Sequence, residues 1–245
     1  MGETVPLTDK AIGQIDTQSE QLSKRKTRGQ ERRAAIRCFI SGYVDAYSLL
    51  TFGVYASFMT GNTTSGGVHT GQMKLAQAGH SLLPIPFFMS GIFLGTLLVQ
   101  TNPRRALTRL SIAVAILLGA SVIATQAGKP SWLSIMFLSI SMGLTNSSVT
   151  KVGSQSVSLG FMTGDLNNLA RHLTNAFRRR PAEQAQGSWD TPLDRITILA
   201  TLWTSFFCGA IVGTVLSLYL GANMLLIPAT VMLVLAFFER TIVVS

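Results

Sequence analysis

From Ser81 to Val99 the chain contains no Asp, Glu, Lys or Arg, and the same holds from Trp132 to Val149 and from Met224 to Phe238. Runs of this length match the roughly 20 residues that an α-helix needs to cross a bilayer. Six predominantly apolar runs are read, at about 34–57, 81–99, 107–125, 132–149, 195–220 and 224–238, the first interrupted in polarity by Asp45. Pro84 and Pro86 fall near the start of the second, where a helix has no internal partners to lose. Asn102-Pro103 and the Gly128 to Pro130 stretch mark turns. Only 13% of residues are charged, against about 25% in an average soluble domain, and 47% are hydrophobic. So few charges cannot cover so much apolar sequence with a water-facing surface. The fold class predicted is therefore all-α, a polytopic membrane protein of six transmembrane helices.

The net charge of +9 raises the question of nucleic acid. The basic residues lie in clusters flanking the apolar runs rather than on one soluble face, which argues against it. With the N-terminus placed inside, 17 of the 20 Lys and Arg fall on the inner side and Lys74 and Lys129 on the outer, with Lys151 assigned to neither. That agrees with the positive-inside rule and places both termini in the cytoplasm. Residues 1–33 are polar and end in Lys24-Arg25-Lys26-Thr27-Arg28 and Arg32-Arg33. They read as a disordered basic cytoplasmic tail, its basic end able to rest on anionic headgroups. Residues 178–194, opening with Arg178-Arg179-Arg180, read as a cytoplasmic loop. Just before them Leu166, Leu169, Leu173 and Phe177 recur at helical spacing and predict an amphipathic helix at a basic interface. Arg37 and Lys151, near membrane ends, are expected to snorkel.

A pentapeptide, Phe58-Met59-Thr60-Gly61-Asn62, returns as Phe161-Met162-Thr163-Gly164-Asp165. Gly42-Tyr43-Val44-Asp45 precedes the first copy as Gly143-Leu144-Thr145-Asn146 precedes the second. Gly91-xxx-Gly95 follows the first as Gly209-xxx-Gly213 follows the second. Three landmarks in one order divide the chain into two repeats, 34–127 and 128–245. Three helices per repeat make the two units enter the membrane from opposite sides, so the repeat is an inverted one.

Asp45 is the sharpest single residue. A carboxylate inside an apolar helix must face a polar interior, find a partner or stay protonated. It reads either as a coupling or substrate group or as a helix-packing hydrogen bond. Asp45 matches Asn146, and Asn62 matches Asp165, so each repeat keeps one carboxylate in opposite places. The Thr-Gly-Asn and Thr-Gly-Asp elements suit breaks where helix ends meet a solute, or ordinary caps at the membrane edge. The candidate pathway residues are thus Asp45, Thr60, Gly61, Asn62, Asn146, Thr163, Gly164 and Asp165. Gly91, Gly95, Gly209 and Gly213 read as helix-packing positions. The two helices that carry them are expected to pack on each other across the pseudo-twofold axis, with a homo-oligomer contact as the alternative.

His69, His80 and His172 show no ligand spacing, and Cys38 and Cys208 form no disulfide framework. No nucleophile triad, metalloprotease helix, phosphate loop or nucleotide fingerprint is found. No enzyme activity, cofactor or metal is expected.

The run Gly42-Tyr43-Val44-Asp45-Ala46, followed by Ser57 to Thr64, resembles the YoaK-like family of uncharacterised bacterial integral membrane proteins. The resemblance extends over residues 34 to 244, and Thr163-Gly164-Asp165-Leu166 fits the same pattern in the second half. It implies a multi-helix inner-membrane protein and supplies no substrate. The leading functional expectation is a transporter or permease for a small solute, with a central polar site between the repeats. The alternatives are a scaffold or assembly factor acting through the basic tail and loop, and, more weakly, an intramembrane enzyme using Asp45 and Asp165.

Overall fold

The structure, a computed structural model, describes residues 9–157 and 162–244. Its α-helices are α1 (Asp9–Phe52), α2 (Met59–Gly71), α3 (Leu75–Leu82), α4 (Pro84–Thr101), α5 (Pro103–Gln126), α6 (Ser131–Ser148), α7 (Met162–Phe177), α8 (Pro192–Leu220) and α9 (Leu226–Val244). A 3-10 stretch, Gly221–Leu225, links α8 to α9. A short antiparallel hairpin pairs β1 (Lys151–Val152) with β2 (Gln155–Ser156). By length and composition, three stretches are able to cross a membrane: Leu75–Thr101, Arg105–Gln126 and Pro192–Arg240, the last holding both α8 and α9. Helices α1 and α6 fall outside that set because Arg37, Asp45, the serines of α6 and Asn146 dilute their apolar stretches.

Helix ends follow local chemistry. Pro84 and Pro103 stand at first-turn positions of α4 and α5. Thr191 and Asp194 make a reciprocal capping box on α8. Gly128 and Gly221, at φ +62° and +52°, turn the chain after α5 and α8.

Two expectations need correction, on the basic tail and on Arg37, and one stretch given no structure from sequence takes one. The basic tail is not disordered from Asp9 onward; it extends α1 into one continuous helix. Its residues are mostly good helix formers without proline, and the helix has docking partners: Glu20 accepts from the Ser188 amide and hydroxyl, and Gln30 Oε1 accepts from Gly153 N at 2.9 Å. Residues 1–8 lie outside the described residues. The stretch 60–79, rich in Gly, Thr and Ser, forms the α2–α3 pair. There Thr63, Thr64 and Thr70 return their hydroxyls to carbonyls one turn back. Arg37 does not snorkel: it is fully buried, and its partner is distant in sequence.

Two tight crossings organise the bundle. A Cβ on Gly209 would strike the Phe39 carbonyl, and one on Gly213 would meet the Tyr43 carbonyl. Residue numbers rise together, so α1 and α8 run in the same direction. Likewise Gly91 lies against Ile140 and Gly143, and Gly95 against Ser147, so α4 and α6 also run parallel. The two Gly-xxx-Gly helices therefore do not pack on each other. Each packs on the helix that opens the other half, because Gly42 and Gly143 complete the close approach. Helix α5 lies antiparallel to α6, with Thr125 Oγ1 2.9 Å from Ser134 Oγ. It lies antiparallel to α9 as well: Ser111 bonds Glu239 at one end, and Gln126 bonds Asn223 at the other. The main core fills the space between α1, α4, α5, α6 and α9.

Candidate functional site

The first pentapeptide is one packed unit at the end of α1. Gly53, at φ +71°, donates its amide to the Leu49 carbonyl and ends the helix. Asp45 then reaches forward to the loop. Its Oδ1 accepts from Ser57 N at 2.7 Å and its Oδ2 from Ser57 Oγ at 2.6 Å. Asn62 reaches back from α2: Oδ1 accepts from Tyr55 N at 2.9 Å, and Nδ2 donates to Tyr55 O at 2.7 Å. Both side chains are buried, and each satisfies main-chain or hydroxyl groups that burial would otherwise leave unpaired. The aromatic residue has a role too. Phe58 packs edge-on against Tyr55 with centroids 5.2 Å apart, and a Cβ on Gly61 would collide with the Phe58 ring.

The second copy opens α7. Phe161 lies outside the described residues. Met162 and Thr163 form the first turn of α7, and Asp165 is buried close to Cys38 of α1. Asn146 is half-buried near the end of α6.

A cleft of about 430 Å³ joins the two copies. Asp45, Leu49, Tyr55 and Phe58 line it from the first half, with Met162, Thr163, Leu166, Phe206, Ala210 and Thr214 from the second. Of the eight candidate residues, Asp45 and Thr163 reach this cleft. Asn62 stands behind Tyr55 as its tie. Thr60, Gly61, Asn146, Gly164 and Asp165 do not line it.

Sequence reasoning missed two polar networks at the end of the bundle where the basic residues gather. In the first, Arg37 Nη2 donates to Glu239 Oε1 at 2.6 Å and to Ser111 Oγ at 3.1 Å. Ser111 in turn donates to Glu239 Oε2 at 3.1 Å, so α1, α5 and α9 are tied together. The available signal was a lone basic and a lone acidic residue at the edges of the first and last apolar runs. In the second network, Arg195 grips Asp190 with two bonds of 2.8 and 3.0 Å and also donates to Ser154 and to the Glu183 carbonyl. Burial pushes the Asp190 carboxyl upward, but Arg195, the Gln186 amide and Ser154 outweigh it and hold it below the usual carboxylate range. His172 Nε2 lies 2.8 Å from Gln155 Oε1. Burial first, then the neighbouring Arg195 and Arg171, hold the ring below the usual histidine range. Among the described residues no group of three His, Cys, Asp or Glu is placed to hold a metal.

Residues 34–238 match the family described as protein of unknown function (DUF1275). The UPF0700 transmembrane protein RA0705 of Rhizobium meliloti (strain 1021) is 31% identical over 213 residues, 86% of each chain. The UPF0700 transmembrane protein YoaK of Bacillus subtilis (strain 168) is 26% identical over 148 residues, 57% of this chain and 65% of its own. No solved structure matches the chain.

Proposed function

The chain belongs to the DUF1275 family of proteins of unknown function and is an integral membrane protein; on that premise we propose that it carries a small solute across a bacterial inner membrane. The carrying observation is the cleft, which joins a loop of the first half to the first turn of α7 in the second. Two halves that meet at a site are what alternating access requires. The crossed packing of α1 on α8 and α4 on α6, at matching glycines, favours two inverted three-helix repeats. The alternating directions of α1, α4, α5, α6, α8 and α9 favour six spans, with both termini cytoplasmic.

The lining is largely apolar, with Asp45, Tyr55, Thr163 and Thr214 as its polar members. That suits a small solute with an apolar body and one polar or cationic end. Asp45 faces the cleft while tying Ser57, so a proton on its carboxyl would remove an acceptor from the loop and loosen one wall. Coupling then runs through the loop rather than through a free carboxylate.

The test is solute flux in proteoliposomes, with and without a pH gradient, for wild type and Asp45→Asn. Uptake of such amphipathic solutes is expected in the wild type, and its response to the gradient is expected to vanish in the variant. An unchanged response in Asp45→Asn removes the coupling role. Absence of flux for every solute removes the transporter reading. In that case the scaffold reading takes over, favoured by the α1 extension with its exposed Arg25, Lys26 and Arg28.

A further inference from the structure

Helix α7 packs against the rest of the molecule through its polar side and through one edge of its apolar face, where Met162 and Leu169 meet the core. Asp165 and His172 are buried, while Leu166, Leu173 and Phe177 are exposed, Phe177 to 91%. At about 100° per residue those three exposed positions fall on one narrow stripe. A helix in water shows the reverse arrangement, so this stripe is built to lie in acyl chains. Directly after Phe177 come Arg178, Arg179 and Arg180, all exposed. Their amides close the last turn on the Thr174, Ala176 and Asn175 carbonyls. Arg179 stands at φ +53°, which turns the chain sharply there. Among the described residues none of the three has a carboxylate within ion-pair distance; the nearest pair, Arg171 with Glu183, is solvent-exposed at 4.0 Å.

We propose that this end of α7 is a binding site for one anionic phospholipid, its phosphate on Arg178–Arg180 and an acyl chain along Phe177 and Leu173 towards Leu166 at the edge of the cleft. Guanidinium forks match phosphate oxygens two at a time. An arginine cluster alone would be a solvated face, and an apolar stripe alone would fit a protein partner. Cation and stripe joined at one helix end match the two-part chemistry of a lipid. The site also reaches the cleft, since the other end of α7 supplies Met162 and Thr163. A lipid that holds α7 therefore holds one cleft wall. The proposal stands whether or not a solute is carried.

The full chain is placed in nanodiscs of phosphatidylcholine alone or of an equal mixture with phosphatidylglycerol. Thermal unfolding and lipid retention by native mass spectrometry are then read. Phosphatidylglycerol is expected to raise the unfolding midpoint of wild type and of an R25Q/K26Q/R28Q control. An R178Q/R179Q/R180Q variant is expected to lose most of that gain and to retain phosphatidylglycerol roughly a hundredfold less well. Phe177→Ser should weaken retention with the arginines intact, and an R178K/R179K/R180K variant should fall between. Glycerol phosphate in solution should reproduce none of the gain; if it does, the ligand is a free phosphate and the lipid site is wrong. Equal stabilisation of wild type and the glutamine variant overturns the proposal. So does an equal loss in the R25Q/K26Q/R28Q control, which would reduce the effect to diffuse charge.

Discussion

Arg37 and Asp45 lie on one helix and solve the same problem differently. Each is an ionisable group in an apolar setting, where an unpaired charge costs several kcal/mol. Asp45 uses a partner twelve residues along its own chain, Ser57. Arg37 uses Glu239, 202 residues away. Asp45 is readable in sequence as a carboxylate that must be satisfied. Its partner is not, because Ser57 is one of many serines. The Arg37 pairing is invisible because only the packing of α1, α5 and α9 brings the two charges together. Burial of this pair makes a sharp expectation. Removing one partner strands the other charge, so Arg37→Met or Glu239→Met alone should destabilise by about 3–5 kcal/mol. The double variant Arg37→Met/Glu239→Met should recover most of that loss, because an apolar pair needs no compensation. Thermal unfolding in detergent measures all three, and additive losses in the double variant would mean that the pair is not coupled.

The bounds of α4, α5, α6 and α8 come within a few residues of the apolar runs, since run length is what the bilayer and the bundle both fix. The α2–α3 pair and the β hairpin escaped because small polar residues carry no periodic apolar signal, and contacts distant in sequence, such as Gly153 with Gln30 and His80 with Phe52, hold them. The α7 stripe was legible, but its exposure was not: spacing shows which residues share a face and says nothing of which way that face looks. Two expectations belong to this scale. At the α1–α8 and α4–α6 crossings backbone meets backbone, so Gly209→Leu or Gly91→Leu must push helices apart. Each should cost about 1–3 kcal/mol, while Gly67→Leu, with open space around it, should cost far less. A cost at Gly67 equal to that at Gly209 would refute the tight-crossing account. The second concerns pH at the α7 end. His172 has a folded pKa below its ordinary 6.5, so the unfolded chain binds the proton more readily. Stability from this group is complete above about pH 6.5 and falls as pH drops below it. His172→Gln should flatten that part of the stability–pH curve; a curve identical to wild type would show that the His172–Gln155 contact carries no linkage.

At the scale of the molecule, charge asymmetry is readable from sequence, because each loop contributes its own count of Lys and Arg. Which helix packs on which is not: the Gly-xxx-Gly motifs mark close approach but do not name the partner. The observed packing adds direction. Helix α5 runs against both α6 and α9, α1 runs with α8, and α4 runs with α6. With short connections between them, these directions demand that the turn at Lys129 and the loop after α7 lie at opposite ends of the bundle. On the six-span reading proposed above, Lys74 and Lys129 lie on one side of the membrane, and Arg105 and Arg179 on the other. All four are exposed, so each is replaced singly by cysteine in a background lacking Cys38 and Cys208. A membrane-impermeant thiol reagent is applied to intact cells and to inside-out vesicles. Cysteines at 74 and 129 are expected to label from outside only, and those at 105 and 179 from inside only. Labelling of 129 and 179 from the same side would mean that α6 does not cross. The second half would then hold two spans against three in the first, and both the inverted three-helix relation and the alternating-access reading built on it would fall together.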